Sequence, residues 1–181
     1  MKSVLISIKP KWVEKIANKE KTIEVRKTRP KIKTPVKCYI YCTIGNGIKG
    51  DYLIPSNLQC GKVIGEFVCD KVYSIKNQGN SFVVANEEQG VTNEIARQSC
   101  LDYDDMVGYL GNKDGYGLHI TALKIYDNPK ELSEFRPICK FEGKDLICNL
   151  CPNHEYNGGL FFECRRKVTR PPQSYMYVEE L

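Results

Sequence analysis

Hydrophobic and polar residues alternate along this chain in patterns that predict short strands and a few short helices. Continuous apolar runs at 4–8 and 36–43 are typical of buried strands. Pro10 suits a first helical turn, so the residues after it predict a short helix with Trp12 on its apolar side. The other predicted elements are strands at 22–26, 61–75, 116–127 and 175–180, helices at 92–100 and 102–111, and a glycine-rich loop at 44–57. Their order and short connections favour an α+β fold, a small mixed barrel with helices at its rim and a loop-rich C-terminal extension.

The segment KEKTIEVR, residues 19–26, is a predicted strand with an unusual number of charges. Side chains alternate between the two faces of a strand, so Glu24 and Arg26 share one face and Lys21 lies at the strand entrance. On a solvated face such an ion pair contributes only about 0–1 kcal/mol. In a cleft it would orient the guanidinium group toward a phosphate, a carboxylate or a base edge. The residues alone leave both interpretations open.

Charge is distributed unevenly along the chain, although the net charge is only +5. Residues 21–37 contain seven basic side chains and one acid, and 165–170 form a second basic run. In contrast, residues 87–105 contain six acids and one arginine. A polarised surface of this kind favours a polyanionic partner such as nucleic acid. The side chains predicted to contact nucleic acid are Lys27, Arg29, Lys31 and Lys33.

Four of the nine cysteines lie close together near the C-terminus: Cys139, Cys148, Cys151 and Cys164. The C-x-x-C spacing of the middle pair is that of a zinc knuckle, and the flanking pair completes a set of four thiolates. His154 is an alternative ligand. A structural zinc ion would explain how the loop-rich segment 136–170 stays ordered without a core of its own. The alternative is four cysteines without metal in a variable insert.

The chain of 181 residues is long enough for one domain with its own core and an appendage. No apolar run approaches membrane-spanning length, and the N-terminal stretch is too short for a signal peptide, so we expect a cytoplasmic protein. In a reducing compartment most of the other five cysteines are expected to behave as small buried hydrophobic residues.

The order of a strand, a short helix and then Lys21-x-x-Glu24-x-Arg26 resembles the ASCH domain family of the PUA-like superfamily. Lys19 stands where the family motif has glycine. Three further segments are similar to the family in the same order, the last of them to phage-type and Firmicute-type members: 4–16, 61–72 and 169–181. The resemblance divides the chain into an ASCH domain at 1–135, the cysteine-bearing insert at 136–170, and a final strand returning to the barrel at 171–181.

The resemblance implies a cleft beside the first helix, lined by the motif residues, that takes RNA or a modified nucleoside. Gln173 and Ser174 are further candidates for hydrogen bonds to a ligand edge, or they cap a strand end. One branch of the family hydrolyses acetylcytidine with a lysine at the position of Lys21 and a threonine where this chain has Glu24.

Three functions therefore follow as expectations. The first is a binding module for RNA or a modified nucleoside. The second is an amidohydrolase that uses Lys21 as nucleophile or base and Glu24 as proton carrier. The third is a zinc-stapled protein-interaction module of phage or prophage origin.

Overall fold

The part of the chain that this computed structural model describes contains nine strands, three α-helices and one short 3-10 helix, Leu132–Glu134. The described residues are 1–44, 59–79, 81–85, 89–138, 154–156, 162–164 and 166–181. The helices are α1 (Pro10–Ala17), α2 (Gln89–Ser99) and α3 (Tyr103–Leu110). The strands are β1 (Lys2–Ile8), β2 (Ile23–Arg26), β3 (Val36–Cys42), β4 (Val63–Asn77), β5 (Phe82–Val84), β6 (Gly115–Lys130), β7 (His154–Tyr156), β8 (Phe162–Cys164) and β9 (Tyr175–Glu179).

Seven of these strands form one mixed sheet. Its order is β2-β6-β4-β3-β1-β9, with β5 paired to β4. Strands β1 and β3 are parallel, with Val4 opposite Cys38, and the other pairs are antiparallel. The last strand of the chain, β9, returns to pair with the first. Strands β7 and β8 form a separate two-stranded sheet. The architecture is α+β, as the sequence predicts.

The sheet is strongly curved but does not close into the predicted barrel. Arg26 at the end of β2 donates from Nη2 to the carbonyl oxygen of Ser7 on β1, at 2.6 Å. In a flat sheet, the four steps between these strands, of about 4.8 Å each, would separate them by roughly 19 Å. Among the described strands, no backbone pairing joins β2 to β1 or β9. The prediction of a barrel is therefore corrected to an open, curved sheet in which a side chain of the edge strand β2 reaches across to β1.

Three apolar clusters pack the two faces of the sheet. On the concave face, α1 places Val13 and Ile16 against Ile6, Phe67 and Leu118. The other two clusters contain Leu5, Tyr39, Phe135 and Val178, and Ile23, Val25, Ile95, Met106 and Leu110, respectively. Because β1 is covered on both faces, its sequence is a continuous apolar run rather than an alternating one.

Differences from the predicted elements arise at short or interrupted segments. Strand β5 has three residues and was not predicted, since so short an apolar run carries no periodicity. Strand β6 continues to Lys130 although Pro129 was expected to end it. The predicted loop 44–57 lies, apart from its first residue, outside the described residues. None of the helices described here is both long and apolar enough to cross a membrane.

Gly65 in β4 permits a close approach between neighbouring strands. A Cβ atom there would lie 2.5 Å from the Lys124 carbonyl oxygen, a backbone atom that cannot move aside freely. We expect Gly65→Ala to lower the free energy of unfolding by about 1–3 kcal/mol in urea denaturation. Gly108 in α3 is the matched control, because a Cβ there meets nothing within 4 Å. Gly108→Ala should raise stability by about 0.5–1 kcal/mol. Equal midpoints for Gly65→Ala and the unmodified chain would contradict the packing argument.

Candidate functional site

The turn after α1 determines how the charged segment enters the fold. Lys19 has a left-handed backbone with φ 61°. Its N–H donates to the Ile16 carbonyl oxygen and the Glu20 N–H donates to that of Lys15, both at 2.9 Å. This pair of bonds is the Schellman motif that commonly ends a helix, in which the left-handed residue is usually glycine. Lys19 therefore occupies the position where the ASCH motif has glycine, and the turn directs Lys21 toward the interior.

Lys21, Glu24 and Arg26 meet in one buried group, which we call the buried ion cluster. The Glu24 carboxylate lies between the two cations, with Oε1 3.1 Å from Arg26 Nη2 and Oε2 3.6 Å from Lys21 Nζ. The residues are only 2%, 6% and 6% exposed, respectively. Glu24 pairs with Leu118 of β6, so the cluster lies on the concave face of the sheet. The alternative of a solvated charged face is therefore wrong.

Both cations of the cluster also bind backbone carbonyl groups of distant elements. Lys21 Nζ donates to the carbonyl oxygen of Ser99, the last residue of α2, at 2.5 Å. A cation is favourable there because the final carbonyl groups of a helix lack partners within the helix. The Lys21 Nζ also lies 5.1 Å from the centre of the Trp12 ring on α1. Burial lowers the pKa of Lys21 below its ordinary value, and the nearby Glu24 carboxylate offsets part of this effect.

One donor of the cluster lacks a hydrogen-bond partner in the described part of the chain. The Nε of Arg26 is buried and unpaired among the described residues, while its Nη2 forms an ion pair with Glu24 and donates a hydrogen bond to Ser7. Leaving a buried donor unpaired costs about 1–3 kcal/mol, more for a charged group. This donor is enclosed, so a further acceptor could reach it only if the side chains that cover it moved aside.

The segment preceding β9 is fixed to the same residue of β1. The Ser7 hydroxyl donates to the Pro172 carbonyl oxygen at 2.6 Å, and the Ser7 N–H donates to the Ser174 carbonyl oxygen at 3.0 Å. Gln173 is exposed and Ser174 is half-buried. Ser7 thus links the segment carrying both predicted ligand-binding residues to Arg26. Sequence reasoning missed Ser7, because a serine inside an apolar strand carries no signal of its partners.

A second feature, which we call the basic groove, lies beside the loop that follows β2. Its volume is about 640 Å³. The charged side chains that line it are Arg29, Lys31, Lys33, Asp70 and Lys71. Three of the four basic residues predicted to contact nucleic acid therefore lie together. Lys27 does not line the groove, since its Nζ lies 5.3 Å from the Tyr109 ring on α3.

Tyrosines of the last strand hold the groove loop in place. The Tyr175 hydroxyl donates to the Arg29 carbonyl oxygen at 2.7 Å, and the Lys31 N–H donates to the Tyr177 hydroxyl at 2.6 Å. The Arg29 guanidinium carbon also lies 5.9 Å from the centre of the Tyr116 ring. The alternating tyrosines of 175–177 were the available signal for this contact, since both point to one face of the strand.

Two charged groove residues from β4 were not predicted as site residues. Lys71 Nζ lies 4.5 Å from the Tyr73 ring centre, and Asp70 Oδ1 lies 2.7 Å from His119 Nδ1. Both stand in a long strand, far along the chain from the basic loop. A sequence pattern cannot show which strand residues a loop will approach.

The four cysteines of the predicted zinc site lie outside the described residues, except for the backbone of Cys164 in β8. The pairing of β7 with β8 places residue 154 directly opposite residue 164. The zinc site, with His154 as an alternative ligand, stays a prediction.

Comparison with known proteins identifies the fold. No family model and no curated protein matches the chain. Its structure is similar to the crystal structure of ASCH from Zymomonas mobilis, with a TM-score of 0.52 and 16% identity over 98% of this chain and 88% of that chain. Two point mutants of the same protein match with TM-scores of 0.51 and 0.50, at 16% and 15% identity. This chain has the ASCH fold. The narrower resemblance to phage-type members stays a prediction.

Removing the charge of Glu24 should destabilise the whole fold. Glu24→Gln leaves two buried cations without a counter-charge, so we expect a loss of about 3–5 kcal/mol in the free energy of unfolding, measured in urea. Glu20→Gln is the matched control, because Glu20 pairs with Lys15 at 3.2 Å on the surface and should lose at most about 1 kcal/mol. Equal losses in the two variants would show that the buried ion cluster does not stabilise the fold.

Proposed function

We propose that this chain binds RNA or a modified nucleoside, with the basic groove contacting phosphate groups. The observation that supports this function best is the fixed position of Arg29 and Lys31, whose backbone is bonded to β9 on the groove side of the sheet. Phosphate contacts supply most of the affinity of nucleic-acid-binding proteins, and a pre-ordered loop loses less entropy on binding. The fold of this chain is similar to that of an ASCH protein, and the ASCH resemblance implies an RNA or nucleoside ligand, which agrees with this proposal.

The groove combines positive charge with apolar surface. Its lining also includes Pro30, Ile32 and Val72, which offer contacts for a sugar or a base. A volume of about 640 Å³ is within the range of roughly 300–1,000 Å³ typical of ligand pockets. The Asp70 carboxylate, which is bonded to His119, lowers the positive charge at one side of the groove. Four basic side chains against this one acid leave the groove positive.

In this proposal the buried ion cluster positions the groove and offers one polar contact to a nucleoside. The loop begins directly after Arg26, whose bonds to Glu24 and Ser7 fix its first residue. The unpaired Nε of Arg26 is the donor proposed to meet a base edge, after the side chains that cover it move aside. Gln173 and Ser174, in the segment bonded to Ser7, are the proposed neighbouring contacts.

Salt dependence provides the test of phosphate contact. Each phosphate neutralised on a single strand changes the slope of log affinity against log salt by about 0.7. We therefore expect Lys31→Ala with Lys33→Ala to reduce the slope for single-stranded RNA by about 1.4, measured by fluorescence anisotropy. The double variant Lys113→Ala with Lys124→Ala is the control, because both lysines are exposed and lie outside the groove. Binding that is absent at low salt, or equal slopes in the two double variants, would contradict the proposal.

Hydrolysis of an acylated nucleoside is a second candidate function. It is favoured by the lowered pKa of Lys21, because an amine must lose its proton to act as nucleophile or base. Glu24, with Oε2 3.6 Å from Lys21 Nζ, is placed to carry a proton. Water would be consumed and the acyl group released as a carboxylic acid.

An assay with acetylcytidine tests this second function. We expect release of cytidine, detected by chromatography, at a rate that rises with pH until Lys21 is deprotonated and then stays level. Lys21→Met should abolish the reaction. Lys11→Met is the matched control, because the Lys11 Nζ lies 4.4 Å from the centre of the same Trp12 ring. It should retain the reaction, because Lys11 does not belong to the buried ion cluster. If neither the unmodified chain nor the control exceeds the uncatalysed rate, while circular dichroism shows both folded, the enzyme hypothesis is wrong.

A further inference from the structure

The sulfur atoms of Cys42 and Cys60 are in direct contact, 3.1 Å apart. Cys42 is the last residue of β3, and Cys60 lies shortly before β4. Backbone hydrogen bonds hold Cys42 against the two residues that follow Cys60: the Gly61 N–H donates to the Cys42 carbonyl oxygen at 2.8 Å, and the Cys42 N–H donates to that of Lys62 at 3.0 Å. These two bonds extend the ladder between β3 and β4 by one step and bring the Cys60 side chain beside that of Cys42.

We propose that Cys42 and Cys60 form a reversible disulfide, which makes this corner of the sheet an oxidation site for low-molecular-weight disulfides such as glutathione disulfide. A sulfur–sulfur bond is about 2.05 Å long. The two sulfur atoms are thus only about 1 Å too far apart to be bonded, a distance that side-chain rotation can close while the backbone ladder stays in place.

Unequal exposure of the two thiols gives the order of the reaction. Cys60 is half-buried, whereas Cys42 is fully buried. The Cys60 thiolate attacks one sulfur of glutathione disulfide, and one glutathione leaves as its thiolate. Cys42 then loses its proton to solvent and attacks the Cys60 sulfur, releasing the second glutathione. In total two protein thiols are oxidised to a disulfide and glutathione disulfide is reduced to two glutathione molecules.

Burial of Cys42 affects the second step of this exchange. Desolvation raises the pKa of its thiol above the ordinary value, and contact with Cys60 adds to that effect. A thiol of raised pKa is a poor first nucleophile, so external disulfides are excluded from Cys42 both by access and by reactivity. It reacts instead with the sulfur already in contact with it, which makes the product an internal disulfide rather than a mixed one.

The other cysteines with described side chains have different surroundings. Cys38 and Cys69 are buried. Cys100 is half-buried, and its thiol donates to the Glu20 carbonyl oxygen at 3.4 Å. Cys100 is therefore the matched control, because it is as exposed a class of thiol as Cys60. The two differ in their neighbour, which is a carbonyl oxygen for Cys100 and a second sulfur for Cys60.

A disulfide at this position would join the end of β3 to the start of β4. It would close the chain between residues 42 and 60, which limits the conformations of the unfolded state and so stabilises the folded one. Neither cysteine lines the basic groove, and neither belongs to the buried ion cluster, so this inference is independent of the proposed function.

The test uses the full chain in buffers of increasing glutathione disulfide to glutathione ratio. Free thiols are trapped with N-ethylmaleimide, and linked peptides are identified by proteolysis and mass spectrometry. We expect a peptide joining Cys42 to Cys60 that disappears with dithiothreitol. The oxidised chain should also melt roughly 6–12 °C higher than the reduced chain, as expected for closing a loop of this length.

Two substitutions decide the assignment. Cys60→Ser should remove the linked peptide and the increase in melting temperature, whereas Cys100→Ser should keep both. The proposal is overturned if Cys60 accumulates as a mixed disulfide with glutathione without a linked peptide at any ratio. It is also overturned if Cys60→Ser shows the same oxidation-dependent melting shift as the unmodified chain, because another cysteine pair would then cause that shift.

Discussion

The carboxylate of Glu24, held between two cations in the interior, is the interaction on which the surrounding structure depends. Removing charges from water costs several kcal/mol per ion, and the cost is offset only when each ion has close partners. Here Lys21 and Arg26 satisfy the carboxylate and bind the carbonyl oxygens of Ser99 and Ser7 in addition. Through these bonds the cluster joins β2 to the end of α2 and to β1, two elements that do not pair with it in the sheet. The curvature of the sheet and the position of α2 are thereby coupled to one ion cluster.

The turn at Lys19 is what allows this cluster to form. After α1 the chain must reverse within a few residues so that Lys21 points inward. Ile23 can then join the apolar cluster that contains Ile95 and Met106. A Schellman turn performs this reversal, at the expense of a left-handed residue. Glycine meets that need without strain, which gives a physical reason for the glycine of the ASCH motif. Lysine supports the same two hydrogen bonds in this chain.

Features that depend on local periodicity could be predicted from the sequence. The common face of Glu24 and Arg26 follows from the two-residue repeat of a strand, and the basic loop is visible as a run of charge. The burial of the cluster could not be predicted, because Ser99 is 78 positions from Lys21 and carries no mark of this contact. Closure of the sheet was wrongly expected for a similar reason. Whether two edge strands pair depends on curvature, which the alternation of side chains does not encode.

Arg26 is the boundary between the two kinds of charge in this segment. Before it, Lys21 and Glu24 are buried, and Lys21 is held by the Ser99 carbonyl oxygen and the Glu24 carboxylate. After it, basic side chains extend to solvent from a loop held at one end by Arg26 and along its length by tyrosines of β9. A loop with few apolar residues has little packing of its own, so its shape must come from these external bonds. In the proposed function, the positions of the groove cations therefore depend on the buried ion cluster, because Arg26 fixes the start of the loop that carries them. Disturbing Glu24 would weaken phosphate binding by releasing the start of that loop, although Glu24 itself contacts no phosphate.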